Sequence, residues 1–359
     1  MAEALGVDVD CPFTPGTLRK VVHAGSLSTS FVAATKDLNA LAEVAVSRER
    51  VERWTKRIGE QRVAQIDARA QEHQQLPLPQ QGRSPTDQVP RVACVQMDGG
   101  RIQIRQRSDT PQLQRAQAKG YWRESLVGCL LSMTSQEHQD DPCPTLPKTF
   151  VDPQRMCDLS REIKGDSSTL ETTIEPSEES PNDRPEKPKV LVRSVVATRQ
   201  GIDTLGKRLA AAAYHRGFSA APRKAFVAAG ANANWSMHAK HFSHYTPILD
   251  FTHAVCYVWT AALAGRSLSV AWTEYVQWAQ WLWSGQISQL IAAVEARHQQ
   301  LGPPPDGDET SPAAVVAKAL GYLRNQQTRM KYDEYRKKGL PITSSYVEST
   351  IKQINRRVK

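Results

Sequence analysis

The sequence predicts a mixed α/β fold in which a sheet is flanked along the chain by helical regions, and three observations lead there. Apolar, alternating runs at residues 91–98, 101–106 and about 124–133 have the two-residue period of strands. Residues 1–75 and about 254–338 instead carry helical periodicity, the second stretch rich in aromatic residues. With 359 residues, 40% of them hydrophobic and 23% charged, the chain has apolar material for two or three compact units.

In chain order, residues 37–46 and 47–59 read as two helices joined by a short turn, the layout of a helix-turn-helix within a DNA-binding region 1–75. Ser47 is the expected N-cap of the second helix, and Val51, Trp54 and Ile58 give it a packing face. Arg48, Arg50, Arg53, Lys56 and Arg57 are then presented outward, as a solvated face or, in the preferred reading, as contacts to DNA. Residues 76–90, rich in Gln and Pro, look like a linker.

The sheet region follows over 91–135 and 190–253. Its three strands make an antiparallel opening, and a helix at about 198–217 with strands at 224–228 and 246–250 continues it. Between its halves, 136–189 form an acidic insert rich in Pro, Ser and Glu, of which 165–188 have so little to bury that they are expected to be mobile. Residues 254–340 read as an all-helical domain broken at Gly302-Pro-Pro-Pro-Asp-Gly-Asp. Its Trp259, Trp272, Trp278, Trp281 and Trp283 read as core packing, with stacking on an unpaired base as the alternative for one of them.

A net charge of +9 and a pI near 9.3 favour a polyanionic partner, nucleic acid first. The six cysteines, at 11, 94, 129, 143, 157 and 256, show no CxxC spacing, which argues against a zinc ribbon or a thioredoxin-like site. No apolar run is long enough to cross a bilayer and no secretory pattern opens the sequence, so a cytoplasmic protein is expected.

Two acids stand out. Asp98 ends an apolar strand and is followed by Gly99-Gly100, a pattern that fits a tight hairpin turn and equally a metal ligand at the lip of a sheet. Glu348 follows Gly339-Leu-Pro341 and opens a basic helix; Ser345-x-x-Glu348 is a capping box, and the same glutamate is a candidate metal ligand. Asp250 and His253 form a strand end followed by a helix cap. His238, His241 and His244 recur every third residue, which suggests zinc but also describes a polar helix face, the preferred reading.

Val95-Gln-Met-Asp98-Gly-Gly together with Tyr335-Arg-Lys-Lys-Gly-Leu-Pro-Ile-Thr-Ser-Ser-Tyr-Val-Glu348-Ser resembles the DDE transposases of bacterial insertion sequences, the Kra-type group related to Mutator-like elements. Phe226-Val-Ala-Ala229-Gly230 and Asp250-Phe-Thr-His253 add to the resemblance, which covers about residue 90 to the end. It implies a ribonuclease-H-like core carrying an all-helical insertion domain. It also implies two-metal phosphoryl transfer on double-stranded DNA, at insertion-sequence ends and target, by a homo-oligomer associated with the nucleoid. Asp98 and Glu348 would be catalytic acids holding Mg2+ or Mn2+ ions ~4 Å apart, with Asp250 and His253 near the site. Lys352, Arg356 and Arg357 of the last helix would join the arginines in binding DNA.

Two departures qualify this. The family's second catalytic Asp is Ala229 here, and a methyl group offers no lone pair, so an impaired catalyst or a non-catalytic DNA-binding regulator is implied. Relatives continue beyond the last helix, so the sequence reads as truncated within 341–359.

Overall fold

The apolar run after Pro90 forms the central strand of the sheet in a computed structural model that describes residues 11–104, 121–164 and 187–358. This strand, β1 (Val92–Ile104), lies between β2 (Tyr121–Thr134) and β4 (Arg223–Ala228). Outside them lie β3 (Lys189–Thr198) and β5 (Thr246–Leu249), giving the order β3-β2-β1-β4-β5. β2 runs antiparallel to β1 and β3, whereas β4 and β5 run parallel to β1. The fold is therefore mixed α/β, as the periodicity predicts.

The expected hairpin at Asp98-Gly99-Gly100 does not form. β1 continues straight through it, with Asp98 opposite Val127 and Gly100 opposite Ser125. The glycines serve a close approach instead: a Cβ on Gly100 would lie 2.5 Å from Ile351 Cγ2 on α13 (Ser345–Val358), the last helix. The third antiparallel strand is consequently β3, in a stretch from which only the sheet's resumption was expected. It is an edge strand with Leu191 and Val192 exposed, so its burial does not follow the alternation that marks half-buried strands.

Helices cover both faces. On one, α6 (Ile202–His215) packs so closely that a Cβ on Gly128 would meet Leu209 at 2.5 Å. On the other lies α13, where Thr350 Oγ1 is 3.5 Å from Cys129 Sγ. Beyond β4, α7 (Asn232–His241) sets Trp235 against Phe226.

The helical region is α8 (Phe251–Leu263), α9 (Leu268–Trp283), α10 (Ile287–Leu301), α11 (Pro312–Gln326) and α12 (Tyr332–Lys337). Trp259, Trp278 and Trp283 are buried, and Trp272 and Trp281 pack partly buried against the same core. Tyr332 and Tyr335 donate to the carbonyls of Leu249 and Pro247, which joins this region to β5.

Part of the acidic insert belongs to this core. His138 N–H donates to Lys337, Asp141 pairs with Arg336, and Trp283 Nε1 donates to the Cys143 carbonyl. α5 (Pro153–Lys164) follows, with Met156 fully buried. A few apolar residues and saturated backbone groups thus hold 136–164 in place, although the composition is polar. The expectation of mobility for 165–188 falls almost wholly on residues outside those described.

At the N-terminus, α1 (Pro15–Leu27), α2 (Phe31–Ala42) and α3 (Arg48–Gln75) bury Val21, Leu38, Val51 and Trp54 together. The first helix of the expected pair is displaced: α2 ends at Ala42, with Glu43 left-handed at φ 54°. α3 starts at the predicted cap, Ser47, whose side chain accepts from Arg50 N–H. It runs far past residue 59 because Gln, Arg, Ala and Glu follow with no proline before Pro77. Its far end docks on α6 through a bidentate pair, Arg208 to Asp67 at 2.6 and 2.8 Å. The short helix α4 (Leu78–Gln81) lies within the expected linker.

If Gly100 exists to admit α13, Gly100→Val should cost roughly 1–3 kcal/mol through overpacking, whereas Gly99→Ala, whose Cβ would meet the Glu124 carboxyl at 3.1 Å and Leu126 at an ordinary 3.7 Å, should cost less. Chemical denaturation of both variants checks this; equal midpoints would remove the steric explanation.

Candidate functional site

The C-terminal ends of β4 and β5 and the entry of α13 converge beside Asp98. Asp98 follows Met97, which pairs with Ala228, so Ala229 lies just past the paired end of β4 next to Asp98. Strand alternation puts Asp98 on the face of Gln96, and that face meets α13: Gln96 donates to Thr343 O and accepts from Val347 N–H. Asp250, one residue past β5, caps α8 by accepting from His253 N–H at 2.9 Å.

Asp250 is fully buried and saturated with donors. Its Oδ1 receives His253 N–H and lies 3.3 Å from His253 Nδ1. Its Oδ2 receives the Ser344 N–H and, at 2.7 Å, the Ser344 hydroxyl. Ser344 Oγ also lies 3.0 Å from Glu348 Oε1, and His253 Nδ1 is 3.9 Å from that same oxygen. The capping box expected at Ser345 is not what holds Glu348: α13 begins at Ser345, and Glu348 meets Ser344, whose hydroxyl turns to Asp250. Sequence reading passed over Ser344 because a serine before a helix has the common role of a cap.

The charges are strongly perturbed. Burial opposes an imidazolium at His253, but the Asp250 hydrogen bond and the charges of Asp250, Glu348 and Asp98 outweigh it and push the ring up to about 9. Burial, then Asp250, pushes Glu348 up to about 7. Asp98 is raised by burial, partly offset by the Gly99 N–H it accepts. For Asp250 burial acts upward, yet the His253 and Ser344 bonds hold it below the usual carboxylate range.

Asp250, His253 and Glu348 place one potential ligand atom each within 4.8 Å of one another, and this group could hold a metal ion. Asp98 is outside that group but near enough for its charge to act on His253 and Glu348. As an imidazolium, His253 has no lone pair to give, and Asp250 has its oxygens occupied. Asp98 and Glu348 keep oxygens that these bonds leave open, and the half-buried Ala229 beside Asp98 offers no lone pair.

The other candidates are scattered. Arg50 and Arg53 are exposed on α3, Arg48 lies 3.8 Å from Glu52, and Arg57 stacks on Trp54. Lys352 is ion-paired with Glu162 of α5, and Arg356 and Arg357 fall in the last turn of α13. His238 meets the Tyr245 carbonyl at 2.8 Å and His241 is wedged against Gly206; among the described residues the three histidines form no metal-binding group. Cys11, Cys94, Cys129 and Cys157 carry free thiols. No described helix is long and apolar enough to cross a membrane. No family model matches this sequence, and no curated protein matches it significantly.

Because Asp250 does most to raise His253, with Glu348 and Asp98 adding less, Asp250→Asn should let burial dominate and drop the ring below an ordinary histidine. An NMR titration of the His253 ring should therefore move from about 9 to below ~6.5. A midpoint unchanged by the substitution would show that Asp250 does not set the charge of the cluster.

Proposed function

We propose that this chain is a transposase of the DDE type with an incomplete acid set, built on a ribonuclease-H-like core. The observation that carries the reading is that Asp98, on the central strand, lies near enough for its charge to act on Glu348, on a helix held to that strand from the far end of the chain. The sheet, an antiparallel β1-β2-β3 meander extended on the other side of β1 by the parallel strands β4 and β5, supports it, as does Ala229 beside Asp98 where the resemblance expects an acid. Asp250 and His253, matched to the family's near-site pair, border the same acids.

In this reading Asp98 and Glu348 hold Mg2+ or Mn2+, which when bound would activate a water or a DNA 3′-hydroxyl and stabilise the leaving oxygen of an in-line displacement. Asp250 positions the start of α13 through Ser344, and His253 supplies a fixed positive charge beside Glu348. Double-stranded DNA is the partner, bound by a homo-oligomer in the nucleoid, with Arg50, Arg53 and Arg57 of α3 facing its phosphates. The second reading, a non-catalytic DNA-binding derivative, is favoured by Ala229 alone.

Ala229→Asp should raise Mg2+-dependent nicking of the inverted repeats flanking the gene by on the order of 10²-fold, by supplying transition-state charge stabilisation. On an Asp98→Ala background it should change nothing. Cleavage by the unaltered chain at a rate that Ala229→Asp cannot improve would mean that position 229 is not the second acid position. No nicking by any variant, with duplex binding retained, would favour the regulator.

DNA binding is tested separately, because deleting 1–75 would also strip Asp67 and its Arg208 pairing from the core. Arg50→Gln with Arg53→Gln should weaken duplex binding and reduce the slope of log affinity against log salt by about 2. An unchanged slope would exclude α3 as the phosphate-contacting helix.

A further inference from the structure

Ser344 lies one residue before α13 and is 1% exposed. Its hydroxyl is 2.7 Å from Asp250 Oδ2 and 3.0 Å from Glu348 Oε1, and its N–H donates to the same Asp250 oxygen. Among the described residues it is the one side chain hydrogen-bonded to Glu348. The helix backbone alone does not fix a glutamate carboxyl, which is carried on three rotatable bonds. A second contact is required to hold it in one place.

We propose that Ser344 is the positioning residue of Glu348: its N–H holds it to buried Asp250 while its single hydroxyl hydrogen is available to the Glu348 carboxyl, so the β5–α8 junction sets where Glu348 stands relative to Asp98. Asp250 thereby acts on Glu348 without needing a free lone pair for a metal. The polypeptide reaches the same end twice, since Phe251 N–H donates to the Ile342 carbonyl at 2.9 Å and holds the approach to Ser344. The inference rests on the metal-dependent reading for its consequence, while the tether is a matter of geometry.

The test uses the full chain with Mn2+ as the probe, read by electron paramagnetic resonance, alongside crystal structures of the variants. Ser344→Ala should weaken Mn2+ binding about 10-fold, in the range for residues that orient a metal ligand. Ser344→Thr, which keeps the hydroxyl, should restore most of that affinity. Metal-free affinity for duplex DNA should be the same in both, which a general loss of structure would not allow. In the Ser344→Ala crystal the Glu348 carboxyl should have left its place beside His253. Should Ser344→Ala fail to fold, Ser344→Cys, of similar size and a weak donor, should show the same loss and the same displacement. Mn2+ affinity unchanged in these variants, or a Glu348 carboxyl that stays in place, overturns the proposal. If the unaltered chain binds no Mn2+, the metal-site reading fails, and the position of Glu348 in the variant crystals alone decides the tether.

Discussion

A carboxylate removed from water must have its charge and lone pairs answered by the protein, and at Asp250 that requirement organises one whole end of the sheet. Its partners come from two elements that the chain reaches almost a hundred residues apart: the first turn of α8, and the residue before α13. Asp250 N–H in turn donates to the Ala228 carbonyl, which ties the acid to the end of β4. Removing one partner of such a buried ionic group costs about 3–5 kcal/mol, because the other is left uncompensated. The place where α13 starts is thus dictated by Asp250, and the height of Glu348 above the sheet follows from it.

Close approach does the rest. α13 can lie against β1 because Gly100 has no side chain, and the ring of Tyr322 can sit at the end of β4 because Gly230 has none. Gly339, left-handed at φ +59°, turns the chain beneath the Gln136 carbonyl on its way to Ser344. Arg336, paired with Asp141 and stacked 3.9 Å from the Trp283 ring, fastens the helix just before that turn. Insert, helical region and sheet therefore meet at one segment, 336–344, and the position of the last acid depends on all three.

Much of this was legible in the residues. The nearly continuous apolar runs Val92 to Met97 and Ala225 to Ala228 marked the inner strands because both are buried on both faces, and burial is what makes a hydrophobic pattern. Asp98 and Glu348 were visible as acids beside apolar runs, although Asp98 lies within β1 and not at its end. The rest was hidden for physical reasons. Asp-Gly-Gly is compatible with a turn and with a strand under a helix, and only the partner, Ile351, decides between them. β3 escaped because three of its apolar residues, Leu191, Val192 and Val195, face outward. The insert looked soluble because its anchors are backbone hydrogen bonds and a few isolated side chains, which leave no periodicity. Ser344 escaped because its two carboxylate partners are distant in sequence.

Ala229 stands beside Asp98 where the proposed reading would have an acid. Its carbonyl, not its side chain, is what the structure uses: Asn234 Nδ2 donates to it at 2.8 Å, so the backbone at the end of β4 is held whatever side chain follows. Asp98, Asp250 and Glu348 already press three carboxyl groups into a buried region with His253 as their main counter-charge, and Asp98 and Glu348 are raised as a result. A fourth acid there would add repulsion that only a bound cation offsets. In the absence of metal, alanine at 229 spares the site that repulsion.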